Sequence, residues 1–77
     1  MATNAQVWKK RAEKLLLNKK IVKVEWMSKA DANDMGWSDR PVCLLLDDNN
    51  WIFAMRDDEG NDGGALAVGP DETLPVF

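Results

Sequence analysis

The sequence predicts a small α+β domain in which an N-terminal helix packs on a small antiparallel sheet of four or five strands. Three observations carry that prediction. Apolar residues near the start recur at spacings of three and four, whereas from Ile21 onward they alternate or fall in short runs. Those runs are separated by clusters of Pro, Gly, Asn and Asp, which break the chain into strand-length pieces. A length of 77 residues sets the scale, because it allows one domain spanning 1–77 with one modest core.

The helix is predicted over residues 4–17. Thr3 followed by Gln6 forms a capping-box pattern, and Ala5, Trp8, Ala12, Leu15 and Leu16 make the apolar stripe. Lys9, Lys10, Arg11 and Lys14 spread around its polar side, and Asn18 is the terminator. The helix is short and its stripe is needed to cover a sheet, so a membrane-surface role is not expected.

Ile21 to Met27 alternates, with Val22, Val24 and Trp26 on one face and Lys23, Glu25 and Met27 on the other, the pattern of a half-buried strand. Ser28 with Asp31 repeats the capping pattern, so residues 29–35 read as a short helical turn ending at Gly36. Pro41 favours an extended Arg40 and opens the run Val42 to Leu46, whose apolar residues fall on both faces. Such a strand needs cover on both sides: the helix supplies one layer, and a partner subunit or closure of a barrel supplies the other.

Asp47 to Asn50 forms a hairpin loop leading to a third strand, Trp51 to Met55, with Trp51, Phe53 and Met55 on one face. Ala65 to Val68 is a fourth strand, Gly69-Pro70-Asp71 a turn, and Thr73 to Phe77 an edge segment. One helix before these strands gives two arrangements: a sheet curled as an SH3-like or Sm-like barrel, or an open sheet packed on the helix.

Composition removes several functions. There is no histidine, hence neither the commonest zinc ligand nor the usual neutral-pH acid-base group. The single Cys43 cannot form an internal disulfide and sits in an apolar run, which fits a reducing, cytoplasmic setting. No apolar stretch reaches membrane-spanning length, and the N-terminus lacks the long apolar segment of a signal peptide. With no clear nucleophile or separated acid-base pair, an enzyme is not expected, and no catalytic residue, metal or cofactor is assigned.

Charge is divided along the chain. Met1 to Lys29 carries +6 and Ala30 to Phe77 carries −9, within a net −3. The halves can attract each other inside one fold, or a basic stripe of Lys9, Lys10, Arg11, Lys14, Lys19, Lys20 and Lys23 can follow nucleic-acid phosphates. The acidic remainder and the lack of aromatics interleaved with those lysines make nucleic acid the weaker partner.

The run Asp57-Asp58-Glu59-Gly60-Asn61-Asp62-Gly63-Gly64 sets four carboxylates and three glycines between two strands. Asp57, Asp58, Glu59, Asn61 and Asp62 are oxygen ligands of the kind calcium takes, although the run does not register on an EF-hand loop. The same residues suit two other roles. In one the glycines allow positive φ and the acids cap backbone amides; in the other the acids meet a basic partner, with indoles as nearby anchors. Trp37 and Trp51 are the candidate anchors, each equally suited to fill the core. Arg40 is a candidate for an acidic group or for a local tie to Asp39.

The segment Gly36-Trp37-Ser38-Asp39-Arg40-Pro41, followed by a strand, a hairpin and Asp58-Glu59-Gly60-Asn61-Asp62-Gly63-Gly64-Ala65-Leu66, resembles small bacterial proteins of uncharacterised function. The resemblance covers most of the chain after the first helix. It implies a bacterial or phage origin and brings no activity, ligand or catalytic residue. The expectation drawn from all of this is a non-catalytic protein-interaction module with a protein partner or a second copy of itself, with calcium binding at the acidic loop, or weak nucleic-acid binding through the N-terminal basic stripe, as the alternative.

Overall fold

The structure, a computed structural model, describes residues 3–77. Helix α1 spans Asn4–Leu16, and its start follows from the predicted capping box. The Thr3 hydroxyl accepts the Gln6 amide at 3.2 Å, while the Gln6 side chain accepts the Thr3 amide at 2.8 Å. Asn18 ends the helix in the left-handed region, at φ 61°.

Strand β1 (Ile21–Trp26) follows, then the short helix α2 (Lys29–Met35), capped by Ser28 at its start and closed by Gly36 at φ 73°. Gly36 sits where a side chain would strain the backbone, which is why the helix stops there. Strands β2 (Val42–Leu46) and β3 (Trp51–Phe53) form the predicted hairpin, and Asn49 at its tip takes φ 69°. Strands β4 (Leu66–Val68) and β5 (Glu72–Leu74) form a second, separate hairpin.

The five strands therefore make two sheets, a three-stranded β1-β2-β3 and a two-stranded β4-β5, and they do not close into an SH3-like or Sm-like barrel. The reason is local. Beyond Phe53 the third strand contributes only one further bridge, Met55 to Gly63, before the acidic loop turns the chain away. The chain's end then pairs with the segment before β2 and not with β1: Arg40 and Phe77 exchange backbone hydrogen bonds at 2.9 and 3.1 Å.

Facing positions in the ladder set the two sides of the main sheet. Glu25, Cys43 and Phe53 are opposite one another on one side, and Val24, Leu44 and Ile52 on the other. The first side is covered by α2 and by the chain leaving it, giving a buried cluster of Met27, Ala32, Trp37 and Cys43. On the second side, Leu66 reaches Val42, Leu44 and Ile52 around a small cavity of 150 Å³. Val22 and Val24 remain exposed at the β1 edge, the latter at 56 %.

The predicted packing of α1 on the sheet is also corrected. None of its residues is buried, and Trp8 and Leu15 are 64 % and 59 % exposed. The stripe leans over the end of the β2–β3 hairpin across an open groove of 660 Å³, lined on the far side by Leu46, Trp51 and Ile52. The segment Leu17 to Lys20 joins the helix to β1: the Lys19 amide donates to the Leu16 carbonyl at 3.2 Å, and the Lys20 carbonyl accepts the Asp47 amide at 2.9 Å.

Candidate functional site

The two motifs singled out by sequence fold onto each other. The Trp37 indole N–H donates to the Gly60 carbonyl at 2.8 Å, and the Asp39 amide donates to Asp62 Oδ1 at 2.9 Å. Gly63 lies against the Gly36–Pro41 segment so closely that a Cβ there would stand 2.6 Å from the Asp39 carbonyl oxygen and 2.6 Å from Pro41 Cδ. The acidic run is the tip of an irregular continuation of β3, with Gly64 N–H bonded to the Ala54 carbonyl and Arg56 N–H to that of Asp62.

Each predicted residue can be placed. Trp37 is 4 % exposed and packs edge-on against Phe53 at 5.8 Å, so it is a core residue with a tethered indole. Asp57 Oδ1 accepts the Glu59 and Asn61 amides at 3.1 and 3.3 Å, and its Oδ2 accepts the Asn61 side-chain amide at 2.8 Å. Glu59 also receives Asn61 Nδ2, at 3.4 Å, whereas Asp58 is exposed and accepts none of these bonds. Asp62 Oδ1 takes the Gly63 amide at 2.8 Å as well as that of Asp39.

These bonds set the electrostatics of the loop. The Asn61 side chain, joined by the Asn61 and Glu59 amides, holds the Asp57 carboxyl below its ordinary pKa. The Asp39 amide does the same for Asp62, with the Gly63 amide and the Arg56 charge adding to it. The carboxylates thus act on their own backbone. Among the described residues, no three of His, Cys, Asp and Glu gather as a metal centre.

Arg40 forms no ion pair with Asp39. Its guanidinium reaches the Met27 carbonyl at 3.5 Å, beside Trp37 and Phe77. Trp51 differs from Trp37: on the edge strand β3 and 41 % exposed, it forms part of the wall of two grooves. One is the gap beneath α1. The other, of 480 Å³, lies on the α2 side of the sheet, with an apolar floor of Met27, Cys43 and Phe53 and with Glu25, Asp31 and Asp34 around it.

That second groove was missed in the sequence. Its acids come from β1 and α2, two elements read for their caps and alternation, and only the fold sets Asp31 and Asp34 across from Glu25. A signal was present in the i, i+3 spacing of the two aspartates, which puts them on one side of α2. Burial and the negative charges of Glu25 and Asp31 push the Cys43 thiol pKa up, so this floor holds a neutral thiol.

Among the described residues one ion pair crosses between the charge halves. The Lys19 to Asp48 bridge, at 3.0 Å, joins them, whereas Lys23 pairs at 3.6 Å with Glu25 of its own half. On α1, Arg11 lies over the exposed Trp8 ring at 5.0 Å. Among the described residues no helix is long and apolar enough to cross a membrane. Comparison with protein-family models, with curated proteins and with solved structures returned no match.

Proposed function

We propose that the chain is a non-catalytic interaction module that works by self-association. The observation that carries this reading is the exposed apolar stripe of α1, a helix that buries no residue of its own although Trp8, Leu15 and Leu16 are in its described sequence. An amphipathic helix gains most of its stability from burying that stripe, so α1 is incomplete without a surface to cover it.

Area supports the same reading. A folded monomer of 8.7 kDa is expected to expose about 4,700 Å². This chain exposes 6133 Å², an excess of roughly 1,400 Å², against ~800 Å² per partner in a stable dimer. The edge residues Val22 and Val24 add to the apolar surface. A buried, neutral Cys43 supports residence in a reducing compartment such as the cytoplasm.

Sedimentation equilibrium tests the proposal. The wild-type chain is expected at twice its 8.7 kDa mass at high concentration, and Trp8→Glu, on an exposed position, at the monomer mass with unchanged circular dichroism. A wild-type chain that stays monomeric throughout the accessible range overturns it.

A further inference from the structure

We infer that the acid-ringed groove between α2 and the sheet is the receptor for α1 of a second copy, so that two chains exchange their N-terminal helices. The inference rests on the self-association proposed above and assigns its contact surface. It starts from two incomplete features of the same molecule that match in shape and in charge.

The groove offers an apolar floor of Met27, Cys43 and Phe53, and its 480 Å³ takes two or three large side chains. Asp31 and Asp34 give it negative charge, joined by Glu25, whose carboxylate is shared with Lys23 of the same strand at 3.6 Å, and no basic residue is in its lining. Helix α1 is the complement: Trp8, Ala12 and Leu15 form its stripe, and Lys9 and Arg11 flank that stripe on opposite sides. Such complementarity fixes register and partner more strongly than apolar area alone does.

In its own chain α1 lies over the Leu46 end, its stripe facing the other groove of which Trp51 is part of the wall, so the occupant comes from another chain and the exchange lifts each α1 from that open gap. Other ways of pairing fit less well. Face-to-face packing of two α1 helices brings Arg11 and Lys14, which line the α1 groove, against their own copies. Pairing through the β1 edge leaves the α1 stripe in water. A reciprocal exchange has two identical contacts about a twofold axis and closes on itself.

Complementary charge reversal tests the assignment. Lys9→Glu with Arg11→Glu is expected to weaken dimerisation by at least about tenfold, as is Glu25→Lys with Asp34→Lys. Mixing the two variants regenerates both contacts with opposite charges facing, and the heterodimer is expected to return to near wild-type affinity. A wild-type dimer whose affinity neither variant changes, or whose loss is not rescued on mixing, overturns the exchange while leaving self-association standing; a monomeric wild type removes both. Isotope-filtered NMR on mixed labelled and unlabelled wild-type chains gives a readout free of variants. Contacts from Trp8 and Leu15 to Met27 and Phe53 of the other copy are expected, and contacts confined to α1 against α1, or β1 against β1, overturn the assignment.

Discussion

Trp37 donates its indole N–H to the carbonyl oxygen of Gly60 at 2.8 Å, joining two loops 23 residues apart in the chain. The bond ends in a part-buried site, so removing the donor leaves a carbonyl without a partner. Trp37→Phe is expected to cost about 1–3 kcal/mol from that orphaned group, and Trp37→Ala about 3–5 kcal/mol because a core cavity is added. Urea unfolding at constant m-value measures both.

The close approach at Gly63 gives a second prediction. A methyl group there meets backbone oxygen and a proline ring, neither of which can rotate away. Gly63→Ala is expected to destabilise the fold by about 1–3 kcal/mol, with faster hydrogen exchange at the Asp39 amide as the local sign.

Acid sensitivity follows from the loop carboxylates. Asp57 and Asp62 are held below their ordinary values by hydrogen bonds to Asn61 and to the Asp39 amide, and Asp48 by the Lys19 side chain. Groups with depressed folded values stabilise the protein above the unfolded carboxylate pKa of about 4, and that stability is lost as pH falls from there through the folded values. The urea midpoint is expected to drop below about pH 4, and Asp62→Asn, which keeps an acceptor but not the charge, to lower the neutral-pH midpoint and flatten the dependence.

Cys43 behaves in the opposite sense. Its thiol is buried and its pKa is raised by burial and then by Glu25 and Asp31, so the reactive thiolate is scarce in the folded chain. A thiol-specific chromogenic reagent is expected to react slowly in buffer and fully in denaturant. Rapid labelling of the native protein contradicts the buried placement.

Most local elements were legible in the sequence to within a residue or two, the last strand excepted, which ends at Leu74 and not at Phe77. Thr3 with Gln6, Ser28 with Asp31, Gly36 and the Asp47–Asn50 loop each act through neighbours in the chain, so pattern alone places them. What pattern could not supply was which edges meet. The partner of the final residues is Arg40, and the partner of the acidic loop is the segment 37–41, both set by contacts across long stretches of chain. The stripe of α1 was legible too, but its cover was assumed to be the protein's own sheet. Trp51 was ambiguous from sequence, since its exposure depends on its place in an edge strand.

The clasp at the C-terminal end has a consequence for how the chain is made. Trp26 Nε1 bonds the Pro75 carbonyl at 2.8 Å, the Trp26 ring meets Phe77 edge-on at 5.3 Å, and Phe77 pairs with Arg40. A chain still threaded through the ribosome can form α1 and the β2–β3 hairpin early, but this clasp waits until residues 75–77 have emerged from the exit tunnel. Until then Trp26 lacks both of these partners while α1 already presents its stripe. A nascent chain whose residues beyond 74 are still inside the tunnel is therefore expected to be more easily cut by protease than one whose residues 75–77 have emerged and closed the clasp.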